Sequence, residues 1–466
     1  MSDIPVTIDP DLSRAQPRSA ADGVQATAAR QVYPPAPVAM FGVFILFLIY
    51  ASSFIDRQIM SLLVGPIRTD LNLTDTQFSL LHGLAFALLY ATLGIPVGRW
   101  VDRGNRSLII AGGVAIWSVL TVLCGYSRNF VELFLARVGV GVGEATAIPV
   151  TYSLMGDYYP PEQRGLALGV FASGSYVGMG GALVAGGLIV GALSNAGPIQ
   201  LPLLGSLEPW RFAFFVVGAP GLLLGLMALM LYEPRRGRQK QAAAARVPWS
   251  AARQHYRSAF RGVAAHHLTG GLLAMALYAM LAWAPEHARR EFGIPAGQAG
   301  LVIGSMIILF GTLGAIAAGA ASDALIRRGV VAARMVVFVT VGLGAIPGSL
   351  VFALGPNPAA ALAGLALCTF CLSACSSLGP AGVLELNPPG LRGLGSAIYQ
   401  LVVALVGFGC GPTIVAATSD FIIRGDGDLS LPLAVTVPVM LLAGATAALA
   451  GIKPYKRALK LAADWK

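Results

Sequence analysis

Two acids and two bases stand inside stretches of sequence that are otherwise apolar. Asp56 and Arg57 are adjacent in "SSFIDRQIMS", while Arg137 and Glu144 are seven residues apart in "LARVGVGVGEA". On a helix, that spacing places Arg137 and Glu144 about 20° apart on one face and about 10.5 Å apart in height. An ionised side chain inside a bilayer costs at least ~2.5–3.5 kcal/mol on insertion scales. We therefore expect these four side chains to face a polar cavity or to pair with one another.

The chemistry that such a group can perform is proton binding and release. Neighbours on a helix diverge by about 100°, so Asp56 and Arg57 each need a partner on another helix. Arginine stays protonated, which makes Asp56 and Glu144 the predicted proton carriers and Arg57 and Arg137 their counter-charges. The pKa of a carboxylate in a low-dielectric cavity is raised by desolvation and lowered by a nearby guanidinium, so movement of the guanidinium would change proton occupancy. The alternative is a static network of ion pairs that only fixes helix packing.

A second charged motif, "GRWVDRGNRS" at 98–107, lies in a loop between two apolar stretches. Its glycine permits close helix approach, and its acid can accept from a helix N-terminus or a basic group. A weaker copy occurs later in the chain, where Asp323 follows Gly319 by four residues. We predict a conformational latch between two halves of the molecule, formed by Gly98, Asp102, Arg103, Arg106 and Asp323. A basic loop that merely anchors the helices is the alternative.

Several aromatic and amide side chains inside the apolar stretches are candidates to line a central cavity, although the same residues would also suit plain packing. They are Tyr90, Tyr176, Tyr278, Trp283, Tyr399 and Gln400. No metal site is predicted, because the cysteines at 368, 371 and 375 lack a second pair of ligands and buried thiols are common small hydrophobes. No cofactor is predicted either.

The elements that must position these residues are membrane helices. Hydrophobic residues make up 56% of the 466-residue chain and charged residues only 12%, about half the share in a soluble domain. Each span needs about 20 apolar residues. The sequence predicts an all-α membrane protein with twelve transmembrane helices, at 38–66, 76–98, 107–126, 130–155, 165–193, 210–232, 263–285, 298–321, 334–354, 359–384, 393–417 and 431–452.

The basic loops define one face of this arrangement, which we call the basic face. "GRWVDRGNRS", "EPRRGRQKQ", "IRRG" and "KPYKRALK" all fall there, whereas acids and bases roughly balance on the opposite face. The positive-inside rule makes the basic face and both termini cytoplasmic. The same distribution argues against a nucleic-acid partner for the net charge of +10. The predicted division is a disordered tail (1–36), a first bundle (37–232), a linker (233–262), a second bundle (263–452) and a tail (453–466).

The two six-helix bundles are predicted to be pseudo-symmetric because motifs recur in the same order. "YPPEQRGLALG" at 159–169 follows the fourth predicted span, and "NPPGLRGLGSA" at 387–397 follows the tenth. Both contain PPxxRGL, and the glycine-acid pattern of the loop at 98–107 also has its later copy. Ordered repeats of this kind indicate duplication. Transporters are often built from such repeats, with the substrate site between the halves near the midplane.

Taken together, these motifs resemble the Spinster family of the major facilitator superfamily, in its bacterial branch. The resemblance rests on DRQ in the first span, GxxxDRxNR after the second, RVGVGVGEA in the fourth and DYYPPEQR after it. It implies a monomeric multi-pass protein of the bacterial inner membrane that moves lysophospholipids or sphingolipids by alternating access, commonly linked to protons. It also implies functional roles for Asp56, Arg57 and Glu144, with Arg137 beside them.

Two other classes of function remain open from the sequence. The anion:cation symporters, which carry organic and sugar acids, share the DR pair and the GEA element, so a small anionic substrate is the alternative. Few ionisable residues occur inside the predicted spans of the second half, which suits an amphiphile better than a dianion that would require additional Arg or Lys. A receptor or scaffold would not need buried charges on two helices. An enzyme is not expected, because no nucleophile–base or metal constellation is apparent.

Overall fold

We describe the chain from a computed structural model, which covers residues 33–159, 161–193, 199–201, 205–234, 248–388, 391–423 and 428–465. Within these ranges, twelve helices are long and apolar enough to cross a membrane. This confirms the predicted fold class, and we number these helices as spans 1 to 12 in chain order. Their alternation puts the start of span 1 and the end of span 12 on the same face.

The helix bounds follow the hydropathy of the sequence closely. Spans 1 to 6 consist of Ala36–Gln58, continued by the 3-10 segment Ile59–Leu62; Asp75–Ser79 with Ala85–Arg103; Arg106–Cys124; Phe130–Glu144 with Ala147–Tyr158; Pro161–Leu193; and Pro209–Ala228. Spans 7 to 12 consist of Trp249–Phe292; Ala296–Met306 with Thr312–Arg327; Ala333–Leu354; Pro358–Leu372 with Ala374–Leu386; Arg392–Val402 with Gly411–Ala417; and Ser430–Ala463.

Shorter elements lie on the face opposite the basic one, which we call the opposite face. A helix, Val64–Leu71, connects spans 1 and 2. Between spans 5 and 6, the strands Ile199–Leu201 and Gly205–Leu207 pair antiparallel, with Ile199 opposite Leu207. This two-stranded hairpin is a small addition to an otherwise helical protein.

Interruptions of the spans recur at matching places in the two halves. Spans 2 and 8 each contain a five-residue π-helical segment, Leu80–Leu84 and Ile307–Gly311. Spans 4 and 10 each divide into two helices, after Glu144 and after Leu372. Because π segments and breaks free backbone groups and redirect side chains, they often mark functional positions. The break in span 4 follows directly after one of the predicted proton carriers.

Spans 7 and 12 extend beyond the membrane on the basic face, which shortens the predicted linker and tail. Span 7 begins at Trp249 rather than near residue 263, and span 12 ends at Ala463 rather than near residue 452. The extensions are stable because one face of each is buried against the other, through Ala252, Ala259 and Gly262 on span 7 and Tyr455 and Ala458 on span 12. Within the predicted linker at 233–262, the chain is therefore helical from Trp249 onward.

Glycines allow spans 5 and 8 to meet closely across the two halves. A Cβ atom added at Gly180 would overlap the backbone carbonyl of Gly304, and one added at Gly304 would overlap the carbonyl of Gly180. Nearer the opposite face, a Cβ at Gly187 would lie 2.6 Å from the Gly297 carbonyl oxygen. Small residues let membrane helices approach to backbone contact. The two halves are thus in direct contact from mid-membrane toward the opposite face.

Candidate functional site

The four charged residues singled out by the sequence lie together in the interior as two ion pairs. Arg57 on span 1 pairs with Glu144 on span 4, through Nη2 and through Nε at 2.9 Å from Oε2. Ser53, one helical turn before Arg57, donates to the same carboxylate oxygen, and Arg57 Nη2 lies 3.0 Å from the Ser53 hydroxyl. Glu144 is fully buried and Arg57 is 6% exposed. This pair is therefore tight and closely held.

The second pair, between Asp56 and Arg137, is looser. Arg137 Nη1 lies 3.6 Å from Asp56 Oδ1 and 3.4 Å from the Asp56 backbone oxygen. Thr121 on span 3 donates its hydroxyl hydrogen to Asp56 Oδ2. Asp56 and Arg57, which are adjacent on span 1, thus pair with two different charged residues on span 4, as their divergence of about 100° requires.

Each carboxylate has one oxygen that accepts no hydrogen bond. Among the described residues, Asp56 Oδ1 and Glu144 Oε1 have no hydrogen-bond partner although both are buried. The same holds for Nε and Nη2 of Arg137. Buried polar atoms are normally satisfied, so unpaired ones require an explanation. A proton can be added to Glu144 Oε1 without first displacing Arg57 from Oε2. In the second pair, the oxygen without a hydrogen bond, Asp56 Oδ1, is the one that faces Arg137, so a proton there would directly weaken the pair.

Aromatic rings from both halves surround the Arg57 guanidinium. Its central carbon lies 4.1 Å from the ring centre of Phe86, 4.7 Å from that of Phe54, 4.9 Å from that of Tyr90 and 5.3 Å from that of Phe408. Phe408 belongs to span 11 and stacks on Tyr278 of span 7 at 3.6 Å. A desolvated cation–π contact contributes roughly 0.5–2 kcal/mol. The first half supplies the charged residues, and the second half covers the Arg57 guanidinium with the ring of Phe408, on which Tyr278 stacks.

Helix breaks position the charged pairs. Asp56 and Arg57 occupy the last turn of the Ala36–Gln58 helix before the chain tightens into the 3-10 segment Ile59–Leu62. Glu144 is the last residue of Phe130–Glu144, and the next helix starts at Ala147. These charged side chains therefore lie beside backbone that departs from α-helical geometry.

A second charge cluster, which joins the two halves, lies at the opposite face. Asp75 at the start of span 2 accepts from both terminal nitrogens of Arg290 on span 7, at 2.8 Å each. Arg68 lies 2.5 Å from the same carboxylate. Arg290 and Arg289 also donate to Glu286. Asp75 is 1% exposed, so this ion pair between the halves is largely removed from solvent.

Further hydrogen bonds join the halves from mid-membrane to the opposite face. They include Gln58 Nε2 to the Leu281 carbonyl (3.1 Å), Tyr176 hydroxyl to Ser376 Oγ (2.7 Å) and Thr76 backbone N–H to Asp420 Oδ2 (2.8 Å). On the basic face, the ion pairs of the described side chains stay within one half each: Arg106 with Asp157 and Glu233, and Arg334 with Glu385. The charged contacts between the halves are thus concentrated at the opposite face.

The residues of the predicted latch occupy different environments. Arg106 is fully buried, and it bonds to Ser153, Asp157 and Glu233, which belong to the first half. Asp323 is exposed, and Gly98 lies on the helix Ala85–Arg103. The side chains of Asp102 and Arg103 lie outside the described residues. A latch between the halves at this loop remains a prediction.

The candidate cavity residues divide into two groups. Tyr90, Tyr278 and Gln400 are half-buried, and the first two lie beside the Arg57 site. Tyr176, Trp283 and Tyr399 are buried in packed surroundings: Tyr176 bonds across the halves, Trp283 donates to the Pro412 carbonyl, and Tyr399 packs on His266 and His267.

Sequence reasoning missed the hydroxyls and the opposite-face cluster. Ser53 precedes Arg57 by four residues, a spacing that places both on one helical face and was visible in the sequence. Thr121 had no comparable signal, because span 3 carries no charged residue near it. In "EHARREFG", Glu286 stands three and four residues before two arginines, but Asp75, which pairs with the second of them, is distant in sequence.

Comparison with known proteins gives consistent matches. The sequence model of the Major Facilitator Superfamily matches residues 46–412. An MFS-type efflux pump of Mycolicibacterium smegmatis is 28% identical over 412 residues, which cover 86% of this chain and 90% of that protein. A probable L-galactonate transporter of Escherichia coli is 26% identical over 61% of this chain and 62% of its own length. A crystal structure of a bacterial homologue of the human lysosomal transporter Spinster, inward-facing and unoccupied, superposes with a TM-score of 0.72 and 26% identity. The superposition covers 93% of this chain and 100% of the chain in that crystal structure.

Proposed function

Because the chain belongs to the major facilitator superfamily of transporters, we propose that it couples protons to the movement of an amphiphilic, lipid-like substrate by alternating access. Lysophospholipids and sphingolipids are the proposed substrate classes. Asp56 and Glu144 are the proposed proton carriers, and Arg57 and Arg137 are the charges that their protonation releases. The chain would act in a bacterial inner membrane, with its basic face and both termini in the cytoplasm.

The observation that carries this proposal is the arrangement of two buried ion pairs, in each of which one carboxylate oxygen accepts no hydrogen bond. Protonation of Glu144 would remove the charge that holds Arg57 in place, and the guanidinium would then be free to seek another anion. A ligand that shifts a conformational equilibrium must bind the two states differently, and such a rearrangement provides that difference. The proton is thereby linked to the contacts of Arg57 with the second half.

The surroundings of Arg57 favour an amphiphile. The rings of Phe86, Tyr90, Phe408 and Tyr278 offer apolar and aromatic contact on the side where the halves meet. Apolar walls with a few convergent polar groups are the usual lining of a site for a largely apolar ligand. A headgroup carrying a phosphate could pair with Arg57 once Glu144 is protonated, while the acyl chain packs on the rings.

Transport of an organic or sugar acid is the second candidate, favoured by the similarity to the probable L-galactonate transporter. A small polyhydroxy acid needs several hydrogen-bonding groups and an uncommitted cation. Both arginines of the site are already paired with carboxylates, so a small anion would compete with Asp56 and Glu144 for them. That competition makes the acid less suited to the site than an amphiphile with additional apolar contacts.

The coupling role predicts a specific defect for Glu144→Gln. The amide keeps the shape of the side chain but cannot take up a proton, so uptake or efflux driven by a pH gradient should be lost. Counterflow exchange without a gradient should survive, because it requires alternating access but no net proton movement. Both activities can be measured in proteoliposomes with a labelled lysophospholipid, and Asp56→Asn should give the same pattern.

The matched control is Glu385→Gln, which removes a carboxylate on the basic face that pairs with Arg334 within the second half. Its response to the pH gradient should resemble that of the parent. If Glu144→Gln and Asp56→Asn both respond to an imposed gradient like the parent, the proton carrier lies elsewhere and the proposed coupling is wrong.

A further inference from the structure

A cavity of about 490 Å³ opens on the basic face of the second half, away from the Arg57 site. Its lining comes from the helix ends of spans 9 to 12 and from the segment between spans 10 and 11. The polar lining residues are Arg334, Glu385, Asn387 and Arg392. The apolar ones are Ala381, Leu384, Pro388, Leu459, Ala462 and Ala463. One part of the cavity is therefore charged, and the rest is aliphatic.

The charged part of the cavity is a built arrangement with a surplus of positive charge. Arg334 donates to both carboxylate oxygens of Glu385, at 2.6 and 2.8 Å, and Tyr455 donates to Glu385 at 3.0 Å. Arg392 is exposed at the cavity and has no ion-pair partner among the described residues. Two guanidiniums against one carboxylate leave one positive charge at the cavity wall, and that charge belongs to Arg392.

Span 12 locates the cavity at the depth of lipid headgroups. One stripe of this helix, at intervals of three, four or seven residues, is exposed and apolar at Val435, Val439, Leu442 and Leu449, each more than half exposed. The same stripe continues with the exposed residues Lys453, Lys456 and Lys460. A change from apolar to basic along one lipid-facing stripe marks the boundary between acyl chains and headgroups.

The ion-paired part of the cavity lies just past that boundary. Tyr455 follows Lys453 by two residues, which is about 3 Å along the helix axis, and its hydroxyl bonds the Glu385 carboxylate. A headgroup layer is roughly 5–8 Å thick on each side of the bilayer. Arg334, Glu385 and the adjacent Arg392 are therefore within reach of a lipid whose chains lie along the apolar stripe of span 12.

From this geometry we propose that the cavity binds the phosphate-bearing headgroup of an anionic phospholipid from the leaflet on the basic face. Arg392 pairs with the phosphate, Lys456 and Lys460 add positive charge nearby, and Leu384 and Leu459 contact the glycerol and upper chain carbons. The lipid would bridge the start of span 11 to the ends of spans 10 and 12. It would thus stabilise the second half at the face where the described ion pairs do not join the halves.

The test uses the purified full-length chain in detergent, with phosphatidylglycerol, phosphatidylcholine or sodium phosphate added separately. The melting temperature of the parent should rise with phosphatidylglycerol and remain unchanged with the other two. Arg392→Gln should weaken the apparent affinity for phosphatidylglycerol by roughly fivefold, the contribution expected of one basic residue near a lipid surface. Arg392→Lys should retain most of it, because the positive charge remains.

Arg327→Gln is the matched control, since Arg327 is also exposed on the basic face but does not line the cavity. It should leave the phosphatidylglycerol response intact, and so should Glu144→Gln, which separates this site from the transport site. An equal loss in Arg392→Gln and Arg327→Gln would overturn the proposal in favour of diffuse attraction to basic residues. An equal response to sodium phosphate would overturn the assignment to a lipid.

Discussion

Arg57→Ala is expected to abolish transport and to lower the free energy of unfolding by about 3–5 kcal/mol, the cost of leaving one member of a buried ion pair without its partner. The residue left without its partner would be Glu144, which is fully buried and accepts hydrogen bonds from two nitrogens of Arg57. The change also removes the cation that four aromatic rings surround. Chemical unfolding of the purified variant and lysophospholipid uptake into proteoliposomes measure the two effects.

Arg57→Lys separates the binding role of Arg57 from its structural role. Lysine keeps the positive charge for Glu144 but loses the paired donors that suit a carboxylate or phosphate. We expect stability near that of the parent and weaker binding of phosphate-bearing ligands. If ligand affinity instead follows stability across the parent, Lys and Ala proteins, Arg57 is only a structural counter-ion.

The control for this series is Arg211→Ala. Arg211 pairs with the half-exposed Asp70 at 2.7 Å within the first half, and an ion pair of that kind contributes roughly 0–1 kcal/mol. A loss of stability in Arg211→Ala equal to that in Arg57→Ala would contradict the importance assigned to burial of the Arg57 pair.

Asp75→Asn is expected to shift the protein toward a state that is open at the opposite face. The change removes the carboxylate that accepts two hydrogen bonds from Arg290, the ion pair by which span 2 of the first half holds span 7 of the second. If the variant loses about 3 kcal/mol of stabilisation from this ion pair, the ratio of the open to the closed state at the opposite face would change by roughly a hundredfold. Distance distributions between spin labels on the opposite-face ends of the two halves should show a longer component.

Asp70→Asn is the matched control for this experiment. It makes the same substitution on the same face, but Asp70 pairs with Arg211 inside the first half. The label distances should remain those of the parent. An unchanged distribution in Asp75→Asn, or equal shifts in both variants, would show that the Asp75–Arg290 pair does not hold the halves together.

Much of the fold was predictable because hydropathy and loop charge are local properties. The twelve spans and the positions of Asp56, Arg57, Arg137 and Glu144 within them follow from runs of apolar residues interrupted by charges. Helical geometry also predicted that Asp56 and Arg57 need different partners on another helix, although it did not assign the individual pairs. The extension of span 7 to Trp249 was missed because that segment is polar, although its small residues recur at helical spacing.

What the sequence did not reveal depends on contacts between distant parts of the chain. Asp75 and Arg290 are 215 residues apart, and neither stands out in a loop where acids and bases balance. The Thr121 hydroxyl that donates to Asp56 belongs to a span whose only charged residue, Arg106, lies at its far end. The aromatic contribution of Phe408 to the Arg57 site likewise requires the second half to be docked on the first. Such contacts arise from tertiary packing, which local patterns do not encode.

The most direct test of the account is whether substrate moves protons. Proteoliposomes carrying the parent and an internal pH indicator should show a proton flux when lysophospholipid is added, and protein-free vesicles serve as the blank for membrane perturbation. The flux should be absent with galactonate and absent in the Asp56→Asn, Glu144→Gln double variant. A proton flux driven by galactonate, with none driven by lysophospholipid, would contradict the proposed substrate and favour an acid symporter. A flux that survives in the double variant would contradict the role of these two carboxylates.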